Sequence, residues 1–170
     1  MSQDEPGRRA GRKVEGRMAG GGVMEKYFHH ELDYLKQELL DMADKVQHML
    51  SDSIDTLVEL DPSKIEVVNT LEHEVNKHEI DIDQHVIKLI ALHQPVAADL
   101  RLLGIVSKIN NDLERVADEA VNICERAKHL IENPKLEKGD ILPRMEYIVK
   151  DMLSKATDAL LKTDVSNADE

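Results

Sequence analysis

Aromatic side chains make up only 2% of the 170 residues: three Tyr, one Phe and no Trp. Sheets draw on aromatic and β-branched residues, so their scarcity beside abundant Leu, Ile, Val, Ala and Met favours an all-α fold built on helix-helix seams. A single cysteine, Cys124, excludes an internal disulfide, suits a reducing compartment, and is expected to be a small buried residue. No apolar run approaches the roughly 20 residues of a membrane span. Positive charge is also short. Twenty-two Lys/Arg stand against 34 Asp/Glu, a formal charge of −12, which opposes nucleic acid and points to cations or basic protein surfaces as partners.

Catalytic templates are absent too. The glycines of "GGGV" precede neither a GK[ST] sequence nor a strand, so no phosphate loop is expected. The histidines, His29, His30, His48, His73, His78, His85 and His93 among them, form no His-x-x-x-His pair with a glutamate base, and are read as solvated or capping. No Glu is followed three residues later by His, which argues against a carboxylate-bridged di-iron bundle. The chain is read as not an enzyme.

What is present is helix punctuation. Residues 1–23, rich in Gly and Arg, carry five Lys/Arg against three Asp/Glu and are expected to be a disordered basic tail, leaving −14 on the remainder. Beyond Met24 the apolar positions Phe28, Leu32, Leu35, Leu39, Met42, Val46 and Met49 recur at alternating steps of four and three, the seam of a long helix. Asp61-Pro62-Ser63 ends it and starts a second helix from about Ser63 to His93. Gln94-Pro95 marks the next turn, and a third helix runs to about Glu132 with Leu103, Val106, Leu113, Ala117, Ala120, Cys124 and Ala127 on one stripe. After a polar linker over 133–142, Pro143 opens a fourth helix carrying Met145, Ile148, Met152, Ala156 and Ala159 on one side. Long helices joined by short turns must run up, down and up, so residues 24–132 are predicted to form an antiparallel three-helix bundle.

Two carboxylate pairs stand out. Glu114 and Asp118 lie four residues apart and share a face of the third helix. In the second helix Glu72 and Glu79 occupy seam positions that a heptad reserves for apolar residues, where an unpaired carboxylate is costly. Reflection about the Gln94-Pro95 turn sets Glu114 and Asp118 level with Val75 and Leu71, so Glu72, with Asn76 one turn along, is the nearest acid; Glu79 and Asp83 fall deeper toward the turn. Such an oxygen set suits a hard cation or iron. It equally suits a solvated acidic face of a metal-free coiled-coil adaptor, because i, i+4 acid pairs are common in charged bundles.

The runs "LEHEVNKHEIDID" and "HQPVAADLRLLGIVSKINNDLERVADEAVNICERA" resemble the PhoU family, above all in Gln94-Pro95, Asp99-Leu100-Arg101 and Leu113-Glu114-Arg115-x-x-Asp118. The likeness extends from Met24 to about Thr163. It implies a cytoplasmic regulator that restrains phosphate-starvation signalling, placed between the ATPase of a phosphate ABC transporter and a membrane sensor histidine kinase, and commonly dimeric. It further implies (E/D)xxxD motifs that bind metal (iron, Mg, Mn or Ca), falling here on Glu72 with Asn76 and on Glu114 with Asp118. Asn76 stands where such proteins often have Asp, and Glu119 where they often have His. Since they carry two three-helix repeats, 143–170 is expected to be the first helix of an incomplete second repeat, with at most one of two metal sites and self-association through its uncovered stripe. Met24, where heptads and resemblance both begin, is expected to be the translation start, with Gly-Gly-Gly-Val reading as a translated ribosome-binding site.

Overall fold

The computed structural model describes residues 21–132 and 141–161. The expected basic tail lies almost wholly outside the described residues, as do most of the expected linker and the end of the chain. The elements run α1 (Gly21–Glu59), a short 3₁₀ turn (Pro62–Lys64), α2 (Ile65–His93), α3 (Ala97–Glu132) and α4 (Ile141–Leu161). The all-α class and the three-helix bundle followed by a fourth helix are as expected. α1 begins at Gly21 and α4 at Ile141, each two or three residues before the expected start.

The core follows the heptads. Every α1 seam residue from Phe28 to Met49 is buried, as are Val68, Val75, Ile82, Val86 and Leu89 of α2 and the whole expected stripe of α3, Cys124 included. These side chains, Ala127 apart, form one cluster shared by the three helices. Ala117, Ala120 and Ala127 are fully buried; their small size lets neighbouring backbones come close.

Both turns are built by local chemistry. At the first, Leu60 takes a left-handed φ of 56° and stops α1. The Asp61 carboxylate accepts from the Ser63 N–H and hydroxyl, each at 2.9 Å, which holds its pKa below the usual carboxylate value. Lys64 then reaches back to Asp52 and Asp55 of α1, latching the hairpin. At the second, Gln94 adopts φ 46° and its N–H returns to the Ile90 carbonyl at 3.0 Å; Pro95, lacking an N–H, cannot continue the helix.

His85 corrects the reading of the histidines as solvated. Its side chain is 12% exposed, with Nδ1 3.0 Å from Glu38 and Nε2 3.1 Å from Glu31, so it clamps α2 to α1 between two carboxylates. The bond to His85 is the main reason that Glu31 is held below its ordinary pKa. His93 packs near the rings of Tyr27 and Phe28 at that end of the bundle.

α4 lies against α1. Ser51 donates to Glu146 at 3.2 Å and accepts from Lys150 at 2.8 Å, and Leu153 packs on the core. The helix docks on a different face from the stripe its sequence displays. Met145, Ile148 and Met152, joined by Ile141, stay exposed, Met152 at 64%.

Candidate functional site

The acidic residues gather along the seam of α2 and α3, and hydrogen bonds fix its register. Asn110, fully buried, donates to the Glu79 carbonyl at 2.9 Å and lies 3.5 Å from Asp83. Ser107 donates to Asp83 at 3.0 Å. Glu72, Asn76, Glu79 and Asp83 therefore occupy the face of α2 turned toward Ser107, Asn110, Glu114 and Asp118 of α3, since residues three, four and seven apart share a helix face. The helix seam leaves Glu72 and Glu79 half-buried at its margin rather than in the core.

The four expected ligands are met in pairs. Asn76 Nδ2 donates to Glu72 Oε1 at 2.8 Å, closing the α2 pair on itself. On α3, burial first and then the Asp118 and Glu79 charges push the Glu114 pKa up, with Asp118 within hydrogen-bonding reach. The Asn110–Glu79 bond is the register that reflection about the turn gives, so Glu72 falls level with Asp118, while Glu79 is the α2 acid whose charge acts on Glu114. Reflection holds to about a turn of helix, so both glutamates stay within a turn of the α3 pair, Glu79 toward Glu114 and Glu72 toward Asp118. The heptad itself held the signal: both glutamates interrupt one apolar seam, seven residues apart.

Two oxygens of the seam are orphaned. Asn76 Oδ1 and Asn110 Oδ1 are buried without a hydrogen-bond partner, a state that costs free energy unless something donates or coordinates. The donor chemistry fits a hard cation: carboxylate and amide oxygens, one carboxylate with its charge opposed, and no thiol nearby. Placement fits less well. Among the described residues no three His, Cys, Asp or Glu side chains are grouped as a metal site requires, so convergence on one ion needs other rotamers of these residues.

Glu114 supplies a pH test. A carboxyl whose folded pKa lies above its unfolded value carries no penalty below the unfolded pKa, about 4.3 for Glu, and a growing one as pH rises through the folded value. Glu114→Gln is therefore expected to melt above the wild type at neutral pH in metal-free buffer, the gap closing as pH falls below about 4. Thermal melts across pH read this directly; a constant gap would mean that charge at Glu114 is not its cause.

Comparison with known proteins follows the same helices. Residues 39–127 match the family described as the PhoU domain. The chain is similar to a protein of Pseudomonas putida named phosphate-specific transport system accessory protein PhoU homolog, at 33% identity over 142 residues, 83% of this chain and 56% of that protein. It is 35% identical to the Aquifex aeolicus protein of that name, over 79% of this chain and 61% of the relative. Against the Escherichia coli phosphate-specific transport system accessory protein PhoU it is 31% identical, over 83% and 58%. The crystal structure of PhoU from Pseudomonas aeruginosa superposes with a TM-score of 0.76 at 31% identity, covering 81% of this chain and 66% of that one. The chain thus spans 56–61% of the length of these curated relatives. Among the described residues no helix is long and apolar enough to cross a membrane.

Proposed function

The chain belongs to the PhoU domain family, and from that premise we propose that it is a cytoplasmic, non-enzymatic regulator of phosphate uptake and phosphate-starvation signalling. It acts through protein-protein contacts with the ATPase of a phosphate ABC transporter and with a sensor histidine kinase, as a negative regulator. One observation carries the reading: the three-helix bundle that matches the PhoU domain is the part shared with accessory proteins of phosphate-specific transport systems. Its acidic surface supports docking on basic protein patches, with charge speeding the encounter.

A hard cation or iron on the α2–α3 seam completes the proposal. Glu72, Asn76, Glu114 and Asp118 are the ligands that the family motif assigns, and Glu79, whose charge acts on Glu114 across the seam, is a fifth candidate. The ion would neutralise clustered carboxylates and hold two helices in register.

Capture assays test the regulator reading. The purified chain should retain the transporter ATPase and the cytoplasmic portion of the kinase from the same cell, and its loss should switch on phosphate-starvation genes in phosphate-replete medium. Failure to bind either protein, together with unchanged expression, would overturn it.

Self-association through α4 is part of the proposal. Ile141, Met145, Ile148 and Met152 form an exposed stripe on a helix already docked to α1 by its other side, and such apolar patches mark interaction sites. Light scattering is expected to show a dimer or larger species that becomes monomeric when residues 141–170 are deleted; a monomer at high concentration would remove this element.

A further inference from the structure

The seam that holds the carboxylates also carries apolar residues that the fold leaves bare. Ile87 lies four residues beyond Asp83, Ile90 seven beyond, and Ile80 three before, so all three share the face of Asp83. On α3, Gly104 and Leu100 lie three and seven residues before Ser107. The Ser107–Asp83 hydrogen bond at 3.0 Å locks these faces side by side. Ile80, Ile87, Ile90 and Leu100 are exposed, Ile87 at 66%. An acid-flanked apolar strip thus runs along α2 and α3 from the Gln94-Pro95 turn toward Glu79 and Glu114.

Gly104 is the second observation. Mid-helix glycine costs about 1 kcal/mol relative to Ala, yet a Cβ placed there would meet no atom within 4 Å. Among the described residues no neighbour requires the missing side chain. The bare backbone beside Ile87 and Leu100 is open to close approach by another helix.

We propose that this strip of α2 and α3 is a docking groove for a basic amphipathic helix of a partner protein, its apolar side on Ile87, Ile90 and Leu100 and its Lys or Arg residues over Asp83 and, in the ion-free protein, over Glu79 and Glu114. Charge complementarity selects the occupant. The carboxylates line the seam itself, whereas the basic residues Arg101, Lys108 and Arg115 recur every seven residues on the outer shoulder of α3, turned about 100° from Ser107, Glu114 and the seam. An acidic helix would be repelled where a basic one is held. This assignment rests on the reading of the chain as a protein-docking regulator and gives that reading a surface.

Two labelled amphipathic peptides with the same leucine stripe, one with Lys and one with Glu on its polar side, are the probes, titrated against the full chain by fluorescence anisotropy. The Lys peptide should bind and the Glu peptide should not. Ile87→Asp with Leu100→Asp should weaken binding at least about tenfold. Val67→Asp, exposed on the opposite side of α2, adds the same kind of charge and should change it less than about twofold. Gly104→Leu should also weaken binding while raising the melting temperature, because Leu is the better helix former; loss of docking is thereby separated from loss of fold. Equal effects at Val67 and in the groove would mean attraction by bulk charge and overturn the proposal. So would a dimer in the absence of peptide that the groove variants dissociate, since the occupant would then be a second copy. Captured kinase or ATPase that the groove variants retain undamaged would refute the groove and leave the regulator reading standing. Capture of neither by the wild type would remove both.

Discussion

Leu39→Ala is expected to lower the unfolding free energy by about 3 kcal/mol, within a range of roughly 2–5. Leu39 is completely buried in the middle of α1 and belongs to the cluster shared by α1, α2 and α3. Its truncation loses the transfer free energy of the removed carbons and leaves a hole. Long helices pinned along their length by neighbouring seam residues can close that hole only in part. Urea unfolding followed by circular dichroism measures the effect. In a chain of this size it should appear as a fall of about 10 °C in melting temperature. Leu92→Ala is the comparison, since Leu92 is exposed near the Gln94-Pro95 turn and should cost no more than about 0.5 kcal/mol. Similar losses at the two sites would mean that the heptad seam does not carry the stability.

Metal binding on the α2–α3 seam is expected to have the next largest effect. A ligand that binds only the folded state adds about 2.7 kcal/mol at a hundredfold excess over its Kd, so melts with added iron, Mn²⁺, Mg²⁺ or Ca²⁺ should rise above melts in chelator for at least one ion. Glu114→Ala combined with Asp118→Ala should abolish that difference. The same double change should raise stability in chelator, because the Glu114 carboxyl is opposed by burial and by its neighbours. Glu72→Gln and Glu79→Gln then decide which α2 residue completes the site: the variant that loses the ion-dependent rise names the ligand. Coincident melts under every condition would leave a solvated acidic face. The buried Asn76 and Asn110 oxygens would then be a plain energetic cost of the seam.

Stability at low pH follows from other carboxylates. Glu31, Asp61 and Glu74 are held below their usual pKa values, chiefly by His85, Ser63 and Lys45 respectively. A depressed carboxyl contributes stability above the unfolded pKa of about 4 and loses it as pH falls through the folded value. Acid therefore loosens the α1–α2 contacts and the first turn while relieving Glu114.

The sequence by itself determined the helices, their order and their core. Steps of three and four mark the residues that share a face, and Asp61-Pro62 and Gln94-Pro95 cannot propagate a helix, so the seam from Phe28 to Met49 and the stripe from Leu103 to Ala127 were legible from pattern alone. Periodicity says nothing of what a face meets. It picked out the Met145, Ile148 and Met152 stripe, but only the packing of α4 on α1 through Glu146, Lys150 and Leu153 shows that this stripe stays bare. It placed Glu72 and Glu79 in one seam, yet which of them approaches Glu114 depends on the stagger of two crossing helices, set by side chains interlocking along their whole length. Local pattern also missed the His85 clamp and the burial of Asn110. Their partners lie dozens of residues away in the chain, and the distance between them closes only when the bundle forms.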